Sequence, residues 1–202
     1  MDLVKEFPIF LHESGAIKFG NFKLSSGKDS AYYIDLRIIP SFPHQFRVMI
    51  KSLQNLISEK IGLDEFDYIA SVPTSGLVIA SALAIETVKP LIYIRQKPKD
   101  YGTGSLIEGK ISANSRVILV DDVGTTGHSL IGAIKALKDA KIQVVAAFVI
   151  INRMEGAKEQ LANENVKLFE LTDILEISNI LRERKIIDES VFDKIKKQMN
   201  SN

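Results

Sequence analysis

The sequence predicts an α/β fold with a central, mainly parallel sheet flanked by helices, and three observations carry the prediction. From residue 68 onward, short apolar runs alternate with segments of helical period. The runs are apolar almost throughout instead of at every second position, as strands covered on both faces must be. Two of them lead straight into small-residue turns that open helices, "ASVPTSGLVIA" at 70–80 and "VILVDDVGTTGHS" at 117–129.

Residues 2–17 carry Leu3, Phe7, Phe10 and Leu11 at helical spacing, with Pro8 expected to break or kink a short helical segment. The segment 41–62 sets Val48, Met49, Leu53, Leu56 and Ile57 on one stripe and closes on Gly62, a residue suited to a left-handed C-cap. Beyond it the pattern predicts strands at 68–72, 91–95, 117–120, 144–151 and 166–171. Helices are predicted between them from about 76 to 87, 128 to 139 and 155 to 164. The tail from 172 is helical and charged. No repeat, low-complexity tract or Pro/Gly/Ser-rich linker divides the chain. The expectation is a single domain over 1–202, with a hood region at about 1–40, a core at 41–175 and a C-terminal helical tail at 176–202.

Hydrophobic residues make up 46% of the 202, enough for a substantial buried core. Lys plus Arg total 26 against 25 for Asp plus Glu, so no bulk charge draws the chain to nucleic acid or anionic lipid, and any anion site must be local. The absence of Cys excludes disulfides, thiolate metal sites and a Cys nucleophile. His12, His44 and His128 stand apart without metal-ligand spacing, so no metal held by protein side chains is expected. The N-terminus has neither a basic leader region nor a small-residue cleavage site, and no window reaches 18 uninterrupted apolar residues. The expectation is a cytoplasmic protein with no membrane and no nucleic-acid partner.

The densest chemistry lies at 117–129. Val117–Val120 reads as a central strand, and helical period resumes at Leu130, Ile131, Ile134 and Leu137. "GTTGHS" thus joins a strand's carboxyl end to a helix's amino end, where open α/β sheets bind ligands. Free N–H groups and the helix dipole favour an anion there. Gly124 and Gly127 allow close approach, and the hydroxyls of Thr125, Thr126 and Ser129 add donors. Asp121 and Asp122 repel phosphate and need hydroxyl donors instead, so a ribose phosphate satisfies both halves.

Other stretches add weaker signals. Thr74, Ser75 and Gly76 can present backbone amides to a second anion. Residues 93–110 cluster Arg95, Lys97 and Lys99 among Pro98, Gly102, Gly104 and Gly109, a long, mobile, cationic loop suited to closing over a leaving group such as pyrophosphate. "GSLIEGK" at 104–110 has the spacing of a nucleotide P-loop, but Ile111 stands where Ser or Thr should ligate magnesium, and that reading is rejected. Within 19–37, Ser25, Ser26, Gly27, Lys28 and Ser30 crowd near Tyr32 and Tyr33, the makings of a hood that stacks on a planar ring.

"VILVDDVGTTGHS" resembles the phosphoribosyl-diphosphate (PRPP) motif of type I phosphoribosyltransferases. Four further stretches narrow the resemblance to orotate phosphoribosyltransferase: "FKLSSGKDSAYYID", "RQKPKDYGTGSLIEG", "INRMEGA" and "LTDILE", collinear over about 19–182. The resemblance implies a type I phosphoribosyltransferase-like fold with a small N-terminal hood. It implies Mg²⁺-dependent transfer of the phosphoribosyl group from PRPP to orotate, giving orotidine 5′-phosphate and pyrophosphate in pyrimidine (UMP) biosynthesis. Mg²⁺ is then carried mainly by PRPP.

Carried over position by position, the resemblance makes Arg95, Lys99, Asp121 and Asp122 the catalytic set. Asp121 and Asp122 hold the ribose hydroxyls, and Val123, Gly124, Thr125, Thr126, Gly127, His128 and Ser129 cradle the 5-phosphate, Thr125 also lying against the base. Ser71 to Gly76, with Thr74 and Ser75, form the pyrophosphate loop. Arg95, Gln96, Lys99 and Tyr101 reach PRPP from the lid, in this family usually the lid of the neighbouring subunit, which implies a homodimer. Arg153 binds orotate together with Thr125, Ser25, Lys28, Tyr33 and Ile34. Many family members carry Lys where Gln96 stands and His where Tyr101 stands, and some carry Lys in place of Ser25. Arg95, Lys97 and Lys99 leave the lid cationic. Two rival readings keep the PRPP site: a phosphoribosyltransferase for a purine or uracil, and a non-catalytic PRPP-sensing regulator. Arg153 favours an acidic base, and the chain offers the regulator no DNA-binding helix pair or basic domain.

Overall fold

The computed structural model describes residues 3–23, 27, 29–97 and 105–200. They cluster into two compact units, Met1–Met49 with Thr172–Asn202, and Ile50–Leu171.

The first unit joins the two ends of the chain. Helix α1 (Leu3–Glu13) precedes an antiparallel hairpin of β1 (Ile17–Lys23) and β2 (Asp29–Ile34). Pro8 lies inside α1 without ending it, because a proline in the second turn removes only the bond to the carbonyl four residues back. A 3-10 helix (Leu36–Ser41) follows, capped by Asp35, whose carboxylate accepts the Arg37 N–H at 3.1 Å. The tail forms α6 (Ile174–Glu183) and α7 (Glu189–Asn200), which pack on each other, α6 also on α1 and α7 on β2. Gln198 on α7 accepts the Ala31 N–H at 2.8 Å and donates to Ser30 Oγ at 3.1 Å. The tail is therefore the backing of the hairpin and not a separate trimming. Strand alternation sends Tyr32 into this unit's core, 1% exposed, so of the tyrosine pair only Tyr33 remains half-exposed.

The second unit is built on a sheet. Helix α2 (Pro43–Lys60), whose residues up to Met49 belong to the first unit, begins with a proline at its first position, where no N–H is needed, and its exit is turned by Gly62 at φ 87°. The sheet comprises β3 (Tyr68–Ser71), β4 (Leu91–Ile94), β5 (Ile107–Glu108), β6 (Arg116–Gly124), β7 (Gln143–Asn152) and β8 (Leu168–Asp173), in the order β5-β4-β3-β6-β7-β8. Pairings β3–β4, β3–β6 and β6–β7 are parallel, and β4–β5 is antiparallel. The crossovers are α3 (Ser75–Thr87), α4 (His128–Asp139) and α5 (Ala157–Asn163). Ala70, Val117, Leu119, Ala147 and Val149 form one apolar face, closed by Leu130, Ile134 and Leu137 of α4 and Leu161 of α5. Helix α3 packs on β3, β4 and β6.

Two features depart from the sequence reading. The stretch 93–110, expected as loop, contains β5, which pairs Glu108 with Tyr93 and Ile107 with Ile94. Strand β6 does not stop at Val120. It continues through both aspartates to Gly124, because its ladder with β7 runs on to the Gly124–Asn152 pair. Interstrand hydrogen bonding overrides the polar side chains that mark a turn in the sequence.

Candidate active site

The strand order places the site. From β3 the chain crosses through α3 to β4 on one side, whereas from β6 it crosses through α4 to β7 on the other. The carboxyl ends of β3 and β6 are neighbours, with Ser71 opposite Val120 in the ladder. Here the strand order reverses, the position at which open α/β sheets bind ligands. Two helix amino termini, Ser75 of α3 and His128 of α4, start from it. The first N–H groups of each have no acceptor within the helix, so both corners present donors and the positive end of a dipole.

The acids sit at this reversal. Asp121 is one residue beyond the last β3–β6 pair, and its Oδ1 accepts the Asp122 N–H at 2.9 Å. Burial pushes the Asp121 carboxyl well above the usual carboxylate range, and the neighbouring Asp122 charge pushes the same way. A carboxyl so placed gains by accepting a hydroxyl donor. The corner of α3 is drawn tight against it. A Cβ on Gly76 would overlap Asp121 Oδ1, with Ser71 Oγ at 2.9 Å and the Asp121 Cα at 3.0 Å. Ser71 is buried and donates from Oγ to Val120 O at 2.7 Å, tying the first loop to the strand that carries the acids. The Pro73–Thr74 peptide in this loop is cis. Thr74 is exposed and Ser75 half-buried.

The second corner runs from Val123 to Ser129. Gly127, φ 81°, caps α4, and a Cβ there would lie 2.8 Å from Leu161 Cδ1. Thr126, His128 and Ser129 are exposed and Thr125 is half-buried, so the hydroxyls surround the helix terminus at an accessible surface. Arg153, just past β7, joins this corner through its N–H, which donates to Gly124 O at 2.8 Å. Arg153 is 5% exposed, and its side chain forms an ion pair with Glu155 at 2.8 Å.

The stretches on either side of 98–104 meet at Arg95. Arg95 N–H donates to Leu106 O at 2.8 Å, its Nε donates to Lys97 O at 3.3 Å, and its Nη1 lies 3.6 Å from Glu108 Oε1. Gln96 is exposed. Tyr33 and Ile34 lie on β2 of the other unit, with the Tyr33 hydroxyl accepting from Arg37 at 3.2 Å. Ser25, Lys28, Lys99 and Tyr101 lie outside the described residues. Sequence reasoning missed Glu155, although an acid two residues after Arg153 was visible, and it missed what Gly76 does for Asp121.

The acid pair between two helix amino termini at a sheet switch point fits a phosphoribosyltransferase, and residues 44–177 match the family model described as a phosphoribosyl transferase domain. The orotate phosphoribosyltransferase of Cenarchaeum symbiosum is 50% identical over 192 residues, covering 95% of this chain and 96% of the relative. The crystal structure of orotate phosphoribosyltransferase from Aeropyrum pernix superposes with a TM-score of 0.78 at 34% identity, over 90% of this chain and 99% of that one. The Leishmania donovani UMP synthase superposes on all of this chain with a TM-score of 0.85 at 29% identity, and the match spans 43% of its length. The chain belongs to the orotate phosphoribosyltransferase family.

Proposed function

We propose that this chain transfers the phosphoribosyl group of PRPP to orotate, forming orotidine 5′-phosphate and pyrophosphate in pyrimidine synthesis. The observation that carries the assignment is the Gly76 corner of α3 drawn against Asp121 at the sheet's switch point, with the amino terminus of α4 following on the same strand. Asp121 and Asp122 accept from the ribose hydroxyls. The α4 corner holds the 5-phosphate, and Ser71–Gly76 face the pyrophosphate. Arg153 takes the acidic base. The orotate role of Ser25, Lys28, Tyr33 and Ile34, and the PRPP role of Gln96, Lys99 and Tyr101, rest on the resemblance alone.

Such a site works by placement and charge. Departure of pyrophosphate leaves an oxocarbenium-like ribosyl centre, so the chain must hold the nucleophilic nitrogen in line and stabilise the leaving group. Positive charge from Arg95 and Lys97 stabilises the leaving group, and water must be kept from the same centre because it competes there. Among the described residues no group of three or more His, Cys, Asp or Glu could hold a metal ion. Two carboxylates are hard oxygen donors that suit Mg²⁺ through its waters, which fits an ion carried on PRPP. When bound, Mg²⁺ neutralises charge on the leaving group.

We further propose a homodimer in which each lid completes the neighbouring site. Helix α3 supports it: Val78 is 43% exposed, Ile85 81% and Val88 90%. Val88 also holds the left-handed C-cap at φ 53°, a place where glycine costs less than a β-branched residue. An exposed apolar row of this kind on an α/β unit suits contact with a second copy of the chain. No described helix is long and apolar enough to cross a membrane, and the compartment we propose is the cytoplasm. The test of function is product formation from PRPP with orotate, uracil, adenine or hypoxanthine, with and without Mg²⁺. Metal-dependent turnover of orotate alone is expected. Turnover of a neutral base but not orotate overturns the assignment, and PRPP binding without turnover of any base favours a regulator.

A further inference from the structure

The segment after β7 folds an acid onto the arginine proposed to bind orotate, and we infer that Glu155 is a positioning residue that fixes the edge of the Arg153 guanidinium presented to the base. The inference rests on that proposed role of Arg153. Arg153 is 5% exposed and the Glu155 side chain 8%, so the pair is nearly withdrawn from water and protein groups must set its orientation. Nε of Arg153 donates to Glu155 Oε1 at 2.9 Å, and Nη2 lies 2.8 Å from the same oxygen.

The backbone is shaped to make this contact. Asn152, itself buried, accepts the Met154 N–H on Oδ1 at 2.8 Å. Met154 takes a left-handed φ of 57°, which turns the chain so that residues 153 and 155 meet. The Arg153 N–H is fixed to Gly124 O, at the start of the phosphate corner. Main chain and side chain of Arg153 are therefore each held, the first by β6 and the second by Glu155.

A guanidinium is a planar fork with donors along more than one edge. Holding Nε and Nη2 on one carboxylate oxygen sets both the plane and the direction of the fork before substrate arrives. The charge of Glu155 cannot be its contribution to binding, because a carboxylate beside Arg153 competes with a carboxylate-bearing base for the same cation. Glu155 contributes direction. Discrimination between orotate and a base without the carboxylate then depends on a residue that touches neither.

The experiment compares Arg153→Ala, Glu155→Ala, Glu155→Asp and Glu155→Gln by steady-state kinetics with orotate and with PRPP, alongside thermal unfolding. Glu155→Ala is expected to raise the KM for orotate on the order of tenfold, the scale of one charge-assisted hydrogen bond, with the KM for PRPP little changed. Glu155→Asp, one methylene too short to keep both contacts, moves the same way and carries the test if the alanine variant does not fold. Glu155→Gln keeps the acceptor without the charge and is expected to restore the native KM for orotate. Glu155→Ala and Glu155→Asp with unchanged KM for orotate overturn the inference, and so does a glutamine variant as impaired as alanine. If Arg153→Ala leaves the KM for orotate unchanged, the assignment of Arg153 itself fails, which is a distinct result.

Discussion

Gly76 shows how a single hydrogen atom sets the geometry of the acid pair. The α3 corner reaches Asp121 only because no Cβ stands between them. Gly76→Ala should cost about 1–3 kcal/mol, the usual penalty for forcing a methyl into packed space. It should also weaken PRPP binding by displacing the Asp121 carboxylate. Denaturant unfolding and PRPP titration test the two effects, and unaltered PRPP affinity would separate Gly76 from the function of the acids. Asp121 yields a pH prediction. Its carboxyl titrates above the ordinary value of 3.8 in the folded chain, first through burial and then through Asp122. A raised folded pKa contributes stability below that ordinary value, and the contribution is lost as pH rises through the folded pKa. At pH values above the ordinary carboxylate range this buried acid therefore destabilises the fold. Asp121→Asn should unfold at higher denaturant than the unmodified chain at pH 7, with the gap closing as pH falls towards 3.8, while PRPP binding is weakened. A gap independent of pH would sink the argument. Stability given up at the site is the expected cost of placing two like charges where a sugar must bind.

At the scale of elements, the α4 corner depends on a backbone conformation that the residue type permits. Gly127 combines φ 81° with Leu161 and Ala157 crowding the place where a Cβ would stand. Gly127→Ala should destabilise by at least ~1–2 kcal/mol, the cost of a left-handed residue with a side chain. Because the added methyl also pushes α4 from Leu161 of α5, 5-phosphate affinity should fall with it. Calorimetry with ribose 5-phosphate and thermal unfolding measure the pair, and a fall in neither shows that the corner relaxes freely. The edge of the sheet carries its own device. Lys60, Lys158 and Lys167 line an open groove beside β8, the edge strand, and Lys158 forms an ion pair with Glu170. Lysines beside an unpaired edge oppose its pairing with another strand. Periodicity alone read most of these elements correctly. It placed α4 at its observed bounds, His128–Asp139, because the apolar stripe there is uninterrupted. It ended β6 too early because Asp121 and Asp122 look like turn residues to any rule that sees only neighbours along the chain.

At the scale of the whole molecule, the exposed face of α3 is expected to matter more for activity than for folding. Ile85→Glu should leave the folded chain intact, since the residue is 81% exposed, yet convert a dimer to monomers. Turnover should fall with dissociation if each lid serves its neighbour. Sedimentation and activity measured across protein concentration decide it: a monomeric variant with full activity removes the need for the partner's lid. The tail and the hairpin make the complementary point. Gln198 reaches Ser30 and Ala31 across almost the entire length of the sequence, a pairing that no local pattern announces.

The sequence by itself determined the fold class, the parallel strands, the acid pair and the two small-residue corners. Each of these is written in local chemistry: buried strands need unbroken apolar runs, and an anion turn needs glycine and hydroxyl-bearing residues at fixed offsets. What only the tertiary structure decided was which corners meet and how the side chains within them are held. Asp121 lies against Gly76 because β3 and β6 are neighbours in the sheet, and Tyr32 is core while Tyr33 is not because α7 packs on β2. Glu155 turns back onto Arg153 because Met154 takes a left-handed φ while buried Asn152 holds its N–H and Gly124 of β6 holds the Arg153 N–H. Contacts between residues far apart in the chain depend on strand order and on the space left between packed elements, and neither quantity is a property of any short stretch of sequence.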